Sequence, residues 1–177
     1  MLAAAGTANH SRKLCLFLAR TLRGGGAGFP GVPLKLAEPS ISLTLLDSLQ
    51  KRVRWLDETL TAMGVQAECV AARAEEFSAR EQYDIAVSRA VARLNILAEL
   101  CLPFVRVGGA FLAMKGAAAQ EELAEAQSAL RKLGGEVEAV RRFDLGDAAH
   151  YVLVIRKRCP TPAAYPRRYS KIKQSPL

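Results

Sequence analysis

The chain has 177 residues, half of them hydrophobic, which is enough for one domain with a proper core. No stretch nears about 18 consecutive apolar residues, the 4 cysteines lack C-x-x-C spacing, and the only histidines are His10 and His150. This disfavours a membrane span, a zinc or disulfide framework, a His-based metal centre and a Ser-His-Asp triad, and free thiols suit a reducing cytoplasm. The net charge of +8 is uneven: all 17 acids fall between residues 38 and 147, so both ends are basic. Such a pattern suits a polyanionic partner such as RNA, and equally a solvated tail.

Residues 1–23 are the least readable. Arg12, Lys13, Arg20 and Arg23 with no acid would suit a transit peptide. Leu14, Phe17, Leu18 and Leu22 have helical spacing behind a possible Ser11 cap, yet the same run would serve as a buried strand. Next comes GGGAGFPG, with five glycines in eight residues. A fold keeps so many glycines where positive φ or close backbone approach is needed. Gly26, Gly28 and Gly31 fit G-x-G-x-x-G, and Asp47 follows about 20 residues on, behind the apolar run 41–46. A glycine turn followed by an acid at the end of the next strand is a common way to hold a nucleoside cofactor: backbone N–H groups meet the ligand and the acid takes ribose hydroxyls.

From there the pattern alternates. A short helix over 33–37 stops at Glu38-Pro39, and a strand covers 41–46. Ser48 is expected to cap a helix with Leu49, Val53, Leu56, Leu60 and Met63 on one face, ended by Gly64. A strand over 66–71, a helical turn over 73–79, a strand over 83–88 and a helix over 93–102 follow. Then come a strand over 110–114 and a helix over 119–133, with Leu123, Ala126, Leu130 and Leu133 inward. Strands over 137–143 and 151–156 close the sheet as antiparallel neighbours. The whole predicts an α/β fold with a mostly parallel, doubly wound sheet. Residues 160–177, with four prolines and much charge, read as an extended arm.

Ligands of such sheets gather at the carboxyl ends of the strands. Those ends carry the glycine loop, Asp47, Arg73-Ala74-Glu75, Ser88-Arg89-Ala90 and Lys115-Gly116. Arg89 and Lys115 follow apolar strands directly, where a cation is expensive to bury alone. Each is read either as half of a salt bridge to Glu75, Asp84 or another acid, or as a contact to a cofactor carboxylate or an RNA phosphate. Glu75 is either an adenosine contact or a helix cap.

Together GGGAGFPGVPLKLAEP, LTLLDSLQKRVRWL, ARAEE, YDIAVSRAVA, GGAFLAMKG and TPAAYPRRYSKIKQSPL resemble the bacterial 16S rRNA (guanine-N7) methyltransferase family, also called glucose-inhibited division protein B. The resemblance covers about residues 24–177. It implies a Rossmann-like class I methyltransferase fold with a seven-stranded sheet, S-adenosylmethionine as cofactor, and guanine N7 of small-subunit rRNA as acceptor. It implies a cytoplasmic monomer without metal or membrane contact. Gly24, Gly26, Gly28 and Phe29 would line the cofactor, Asp47 would meet its ribose, and Ala74 and Glu75 would flank its adenine. Arg89 would contact the cofactor or position the base, and Lys115 would join it as a catalytic residue facing RNA. Arg156, Lys157, Arg167, Arg168, Lys171 and Lys173 would bind RNA. Guanine N7 has a lone pair and no proton, so no general base is required and alignment does the work.

The chain departs from the family pattern at Leu22, where an Asp is usual, at Gly25, in place of Ser or Thr, and at Ser170 and Ile172 in the tail. Residues 1–23 match neither the family's helical N-terminus nor its first strand. That predicts a mis-started or frame-shifted segment, a degenerate first strand and weak cofactor binding. The expected division is 1–23 atypical, 24–158 methyltransferase domain and 159–177 basic arm. The alternative function is an RNA-binding remnant with little or no transfer. A nicotinamide-dependent oxidoreductase has only the bare glycine motif in its favour.

Overall fold

A computed structural model describes residues 12–17, 28–89 and 92–177. The glycines at 24–26, Leu22, Ala90 and the possible Ser11 cap lie outside the described residues.

Seven strands form one sheet: β1 (Lys13–Phe17), β2 (Ser42–Asp47), β3 (Glu68–Ala71), β4 (Tyr83–Arg89), β5 (Val105–Lys115), β6 (Gly135–Leu145) and β7 (Ala148–Lys157). Their order is β3-β2-β1-β4-β5-β7-β6, with β1 to β5 parallel and β7 antiparallel to both neighbours. This is the doubly wound, mostly parallel sheet expected from the alternation of strands and helices. In β2, Leu43 to Asp47 are all buried, as a strand covered on both faces requires.

Helix α1 (Gly31–Ala37) and α2 (Gln50–Ala62) accompany one apolar cluster, built on Leu14, Leu43, Leu45, Leu56, Leu60 and Val87. Helix α3 (Leu94–Cys101) and α4 (Ala119–Lys132) accompany the larger one, with Leu97, Phe104, Phe111, Leu130, Leu153 and Ile155. The expected stripe of α2 is inward at Val53, Leu56 and Leu60, while Leu49 and Met63 are exposed. In α4, Glu121 and Glu122 open the helix and Arg131 and Lys132 close it, as the helix dipole favours.

Three expectations change. The run Lys13–Phe17, ambiguous in sequence, is a strand at the sheet's centre, with Leu14 paired to both Leu43 and Ile85. Its start is fixed from β4, where an Asp84 carboxylate oxygen accepts the Lys13 amide at 2.7 Å.

The second change is at the start of α2. Ser48 does not cap this helix; the residue at the cap is Leu49, whose amide donates to Asp47 Oδ1 at 2.8 Å. Asp47 at the strand end already reaches that amide, which leaves Ser48 exposed.

The third is the tail, which is not an extended arm. Its prolines shape a path that is stapled to the body, ending in α5 (Tyr169–Gln174) with Ile172 buried. The Arg80 guanidinium donates to the carbonyls of Thr161, Pro162 and Tyr165. Gly134, at φ +80°, passes so close to the Cys159 carbonyl that no Cβ fits between them. Its own carbonyl accepts the Arg158 amide at 2.7 Å.

One extension matters for the site. Strand β5 ends where Lys115 pairs with Tyr151, but β7 begins three residues earlier. Residues 148–150 pair only with 143–145 of β6, so the β6–β7 hairpin overhangs the carboxyl edge of the parallel strands.

Candidate active site

Strand order reverses between β1 and β4, and open α/β sheets bind ligands outside the carboxyl ends at such a point. Four expected residues sit on that rim. Gly28, at φ +83°, turns the chain into α1; a Cβ there would stand 2.7 Å from Val32 Cγ2 and 3.2 Å from Leu56 Cδ2. Only glycine suits both this conformation and this closeness. Phe29 follows, 46% exposed, and the Arg89 guanidinium carbon lies 5.7 Å from the centre of its ring. The glycine turn and the end of β4 therefore meet through a cation–π contact. Arg89 itself is exposed.

Asp47 is buried. Besides the Leu49 amide on Oδ1, it forms an ion pair through Oδ2 with Arg52, one turn into α2. A carboxylate has about four lone-pair sites, so the count leaves room for hydroxyl donors, although the side chain is 0% exposed in this structure. Past β3, Ala74 and Glu75 lie on a single 3-10 turn (Ala74–Glu76). Glu75 Oε1 accepts the Tyr169 amide at 3.2 Å and lies 3.8 Å from the Arg73 guanidinium. The carboxylate expected beside an adenine thus also holds the first residue of α5. Ser88, in register with Phe17 and Ala113, has a buried hydroxyl with no hydrogen-bond partner among the described residues. Buried polar groups are normally satisfied, so this hydroxyl at the switch point needs a partner, whether a water or a ligand. Gly24 and Gly26 fall outside the described residues.

The cations of the other flank are placed differently. Lys115 does not face outward: its side chain is 3% exposed, Nζ lies 2.6 Å from Glu122 Oε2 and donates to the Ala92 carbonyl. The salt-bridge alternative holds for this residue, with an acid from α4. Asp84 is already occupied by the Lys13 amide and by Arg106, whose Nε is 2.8 Å away.

Lys157 is another correction. Its side chain is 0% exposed, with Nζ bonded to the Leu102 carbonyl at 2.7 Å and to Thr161 Oγ1, and 3.3 Å from Glu81. Burial pushes its pKa down, against the pull of Glu81. With Leu102, Thr161 and Glu81 around it, the ammonium has no donor left for a phosphate. Arg167 donates from its backbone N, Nε and NH2 to Glu99 at 3.0, 2.7 and 2.6 Å, and Glu99 is completely buried. These bonds hold the Arg167 pKa up. Arg156 pairs with Glu138 across the hairpin, which lowers the pKa of the carboxyl and raises that of the guanidinium. Of the six cations expected to bind RNA, Arg168, Lys171 and Lys173 are exposed.

Sequence reasoning missed Arg52, Arg80, Glu81, Glu99 and Glu122. A signal existed for Glu99: it lies in LNILAELC among residues that are otherwise mostly apolar, where an acid needs a partner. Among the described residues no group of His, Cys, Asp and Glu could hold a metal, and no helix is long and apolar enough to cross a membrane.

Comparison with known proteins is specific. Residues 23–151 match the family described as rRNA small subunit methyltransferase G. A ribosomal RNA small subunit methyltransferase G from Alkaliphilus oremlandii is 51% identical over 162 residues, covering 87% of this chain and 67% of that protein. Among solved structures, a 16S rRNA (adenine(1408)-N(1))-methyltransferase from Catenulisporales acidiphilia, a W203A mutant, superposes with a TM-score of 0.67 at 14% identity, over 86% and 88% of the two chains. The S-adenosylmethionine-dependent methyltransferase SibL, in its apo form, gives 0.62 at 19% identity over 85% and 52%. At these identities the structures speak for the Rossmann-like class I methyltransferase fold alone. The sequence match goes further: the chain belongs to the rRNA small subunit methyltransferase G family.

Proposed function

We propose that this chain methylates N7 of a guanine in small-subunit (16S) rRNA, with S-adenosylmethionine as donor. Family membership carries the reading, and the convergence of Gly28, Phe29, Asp47 and Arg89 on one rim supports it. The donor supplies a methyl group on a positively charged sulfur, and guanine N7 accepts it through a lone pair that bears no proton. That chemistry asks for neither a general base nor a metal, so the residues act by placement.

Gly28, with the loop before it, gives the backbone close approach. Asp47 takes the ribose hydroxyls with whichever oxygen lone pairs Leu49 and Arg52 leave open. Ala74 and Glu75 flank the adenine. Phe29 and Arg89 border the methionine end and orient the incoming base. The unpartnered Ser88 hydroxyl is a further contact at the switch point. Arg168, Lys171 and Lys173 meet phosphates. The protein acts in the cytoplasm, as a monomer, on the RNA or the small subunit that contains it.

The reading as an inactive remnant starts from Leu22 and the atypical N-terminus, which lie outside the described residues, and adds a degenerate first strand. Strand β1 lies at the centre of the sheet, hydrogen-bonded on both sides, which favours the enzyme. The test is incubation with labelled S-adenosylmethionine and unmethylated small-subunit rRNA. N7-methylguanine, detected as chain scission by aniline after borohydride reduction, is the expected product. Label at another atom, or none, overturns the proposal.

A further inference from the structure

We propose that Glu122, on α4, is a positioning residue for the transfer reaction. It anchors the loop between β4 and α3, and the inference rests on the reaction proposed above. That loop leaves the sheet at Arg89, on the rim of the site, and enters α3 at Leu94. Its far end is held at three consecutive residues. The Ala92 carbonyl accepts the Lys115 ammonium. The Arg93 guanidinium lies 2.5 Å from Glu125 and 3.6 Å from Glu121. The Leu94 amide donates to Glu122 Oε2 at 2.8 Å.

Glu122 Oε2 also lies 2.6 Å from Lys115 Nζ, so one oxygen ties the last residue of β5, the first turn of α4 and the start of α3 together. Helix α3 has no side-chain cap of its own. Glu122 supplies that cap from another helix and neutralises the buried ammonium that grips Ala92. Arg93 and its partners Glu121 and Glu125 are exposed or nearly so, whereas the Lys115 side chain is 3% exposed and that of Glu122 17%. Ion pairs of the first kind contribute little, while at the Lys115 end of the second almost no water is at hand to replace the partner. The placement of Ala92, Arg93 and Leu94 therefore depends on Glu122 and Lys115 as a unit. Lys115 acts from behind the loop rather than on the substrate.

The experiment uses the full chain with S-adenosylmethionine and unmethylated small-subunit rRNA. Glu122→Ala is expected to lower kcat by about a hundredfold, the size of loss that an ångström of misplacement produces. Calorimetric affinity for S-adenosylmethionine and KM for the RNA should stay within about twofold, as for a loss felt only in the transition state. Glu122→Gln keeps an oxygen for the Leu94 amide and is expected to recover part of the loss. Lys115→Met combined with Glu122→Ala should lose no more kcat than either change alone, as for groups acting as a unit. Deuterium exchange at the Leu94 amide should quicken in Glu122→Ala, a readout independent of transfer.

A folded Glu122→Ala protein with unchanged kcat, or one whose loss lies in cofactor affinity, overturns the inference. If Glu122→Ala does not fold, Glu122→Gln and the apolar pair Lys115→Met with Glu122→Leu decide by the same kcat comparison. If the unaltered chain transfers no methyl group, the proposed reaction fails, and exchange at Leu94 still decides whether Glu122 holds the loop.

Discussion

The β2–β3 flank carries Asp47 and Glu75 on turns at strand ends, each accepting a backbone amide, from Leu49 and Tyr169 respectively. The β5–β7 flank and the tail carry Lys115, Arg156, Lys157 and Arg167, each set against an acid: Glu122, Glu138, Glu81 and Glu99. Asp47 and Glu75 also meet a neighbouring cation, Arg52 and Arg73 respectively. A carboxylate that takes one amide and one cation still keeps lone pairs for a ligand hydroxyl, whereas a cation set against an acid has its charge offset before RNA arrives. A basic stretch is therefore a poor measure of the charge offered to RNA. Of the seven Lys and Arg in the last thirty residues, Lys157 and Arg167 fasten the tail to the body, and Arg156 and Arg158 pair with acids across the β6–β7 hairpin.

The largest effect that would break this contrast is at Glu99. Glu99→Ala leaves the Arg167 donors without their acceptor, and breaking such a pair typically destabilises by about 3 kcal/mol, the low end of the range because Arg167 keeps some access to water. Urea unfolding should report that loss; a change within error would mean that the tail is not held there.

Asp47 comes next. Asp47→Ala should weaken S-adenosylmethionine binding about ten- to a hundredfold, the value of charge-assisted hydrogen bonds to ribose. Calorimetry on the folded variant is the check, and an unchanged affinity would reduce Asp47 to an anchor for α2 and Arg52.

The tail cations sharpen the contrast. Replacing Arg168, Lys171 and Lys173 together by alanine should lower the slope of log affinity against log salt by about 2 to 3, at roughly 0.7–0.9 per phosphate contact. Lys157→Met should leave that slope alone, and equal slopes for the two variants would return Lys157 to the RNA surface.

The smallest effect is at the rim. Phe29→Leu removes the cation–π contact with Arg89, worth about 0.5–1 kcal/mol at an exposed site. Stability should hardly move while transfer slows; a larger fall in melting temperature than in rate would make the contact structural.

What was legible in the sequence follows the same divide. The alternation of elements, Asp47 behind its strand and the glycine turn at Gly28 are local patterns, and strand ends dictate where they lie. The five residues of β1 have too little context for periodicity to separate strand from helix. Lys115 and Glu122 are close in sequence, yet their pairing depends on how α4 folds back over β5. Arg167 and Glu99 are far apart in the chain, as are Lys157 and Glu81. Long-range ion pairs leave no spacing to read. The proline-rich tail looks unstructured for the same reason: its partners, Arg80, Glu99 and Gly134, lie elsewhere.

The overhang of the β6–β7 hairpin shapes how RNA arrives. Three residues of strand rise about 10 Å above the last β5 pairing, at roughly 3.3 Å per residue. The carboxyl edge is therefore not a flat shelf but a ledge with a wall along one side. RNA that reaches the end of β4 from the β6–β7 side has to clear that wall. A continuous helix clears it less easily than a loop or a bulge, whose bases already stand out of the stack.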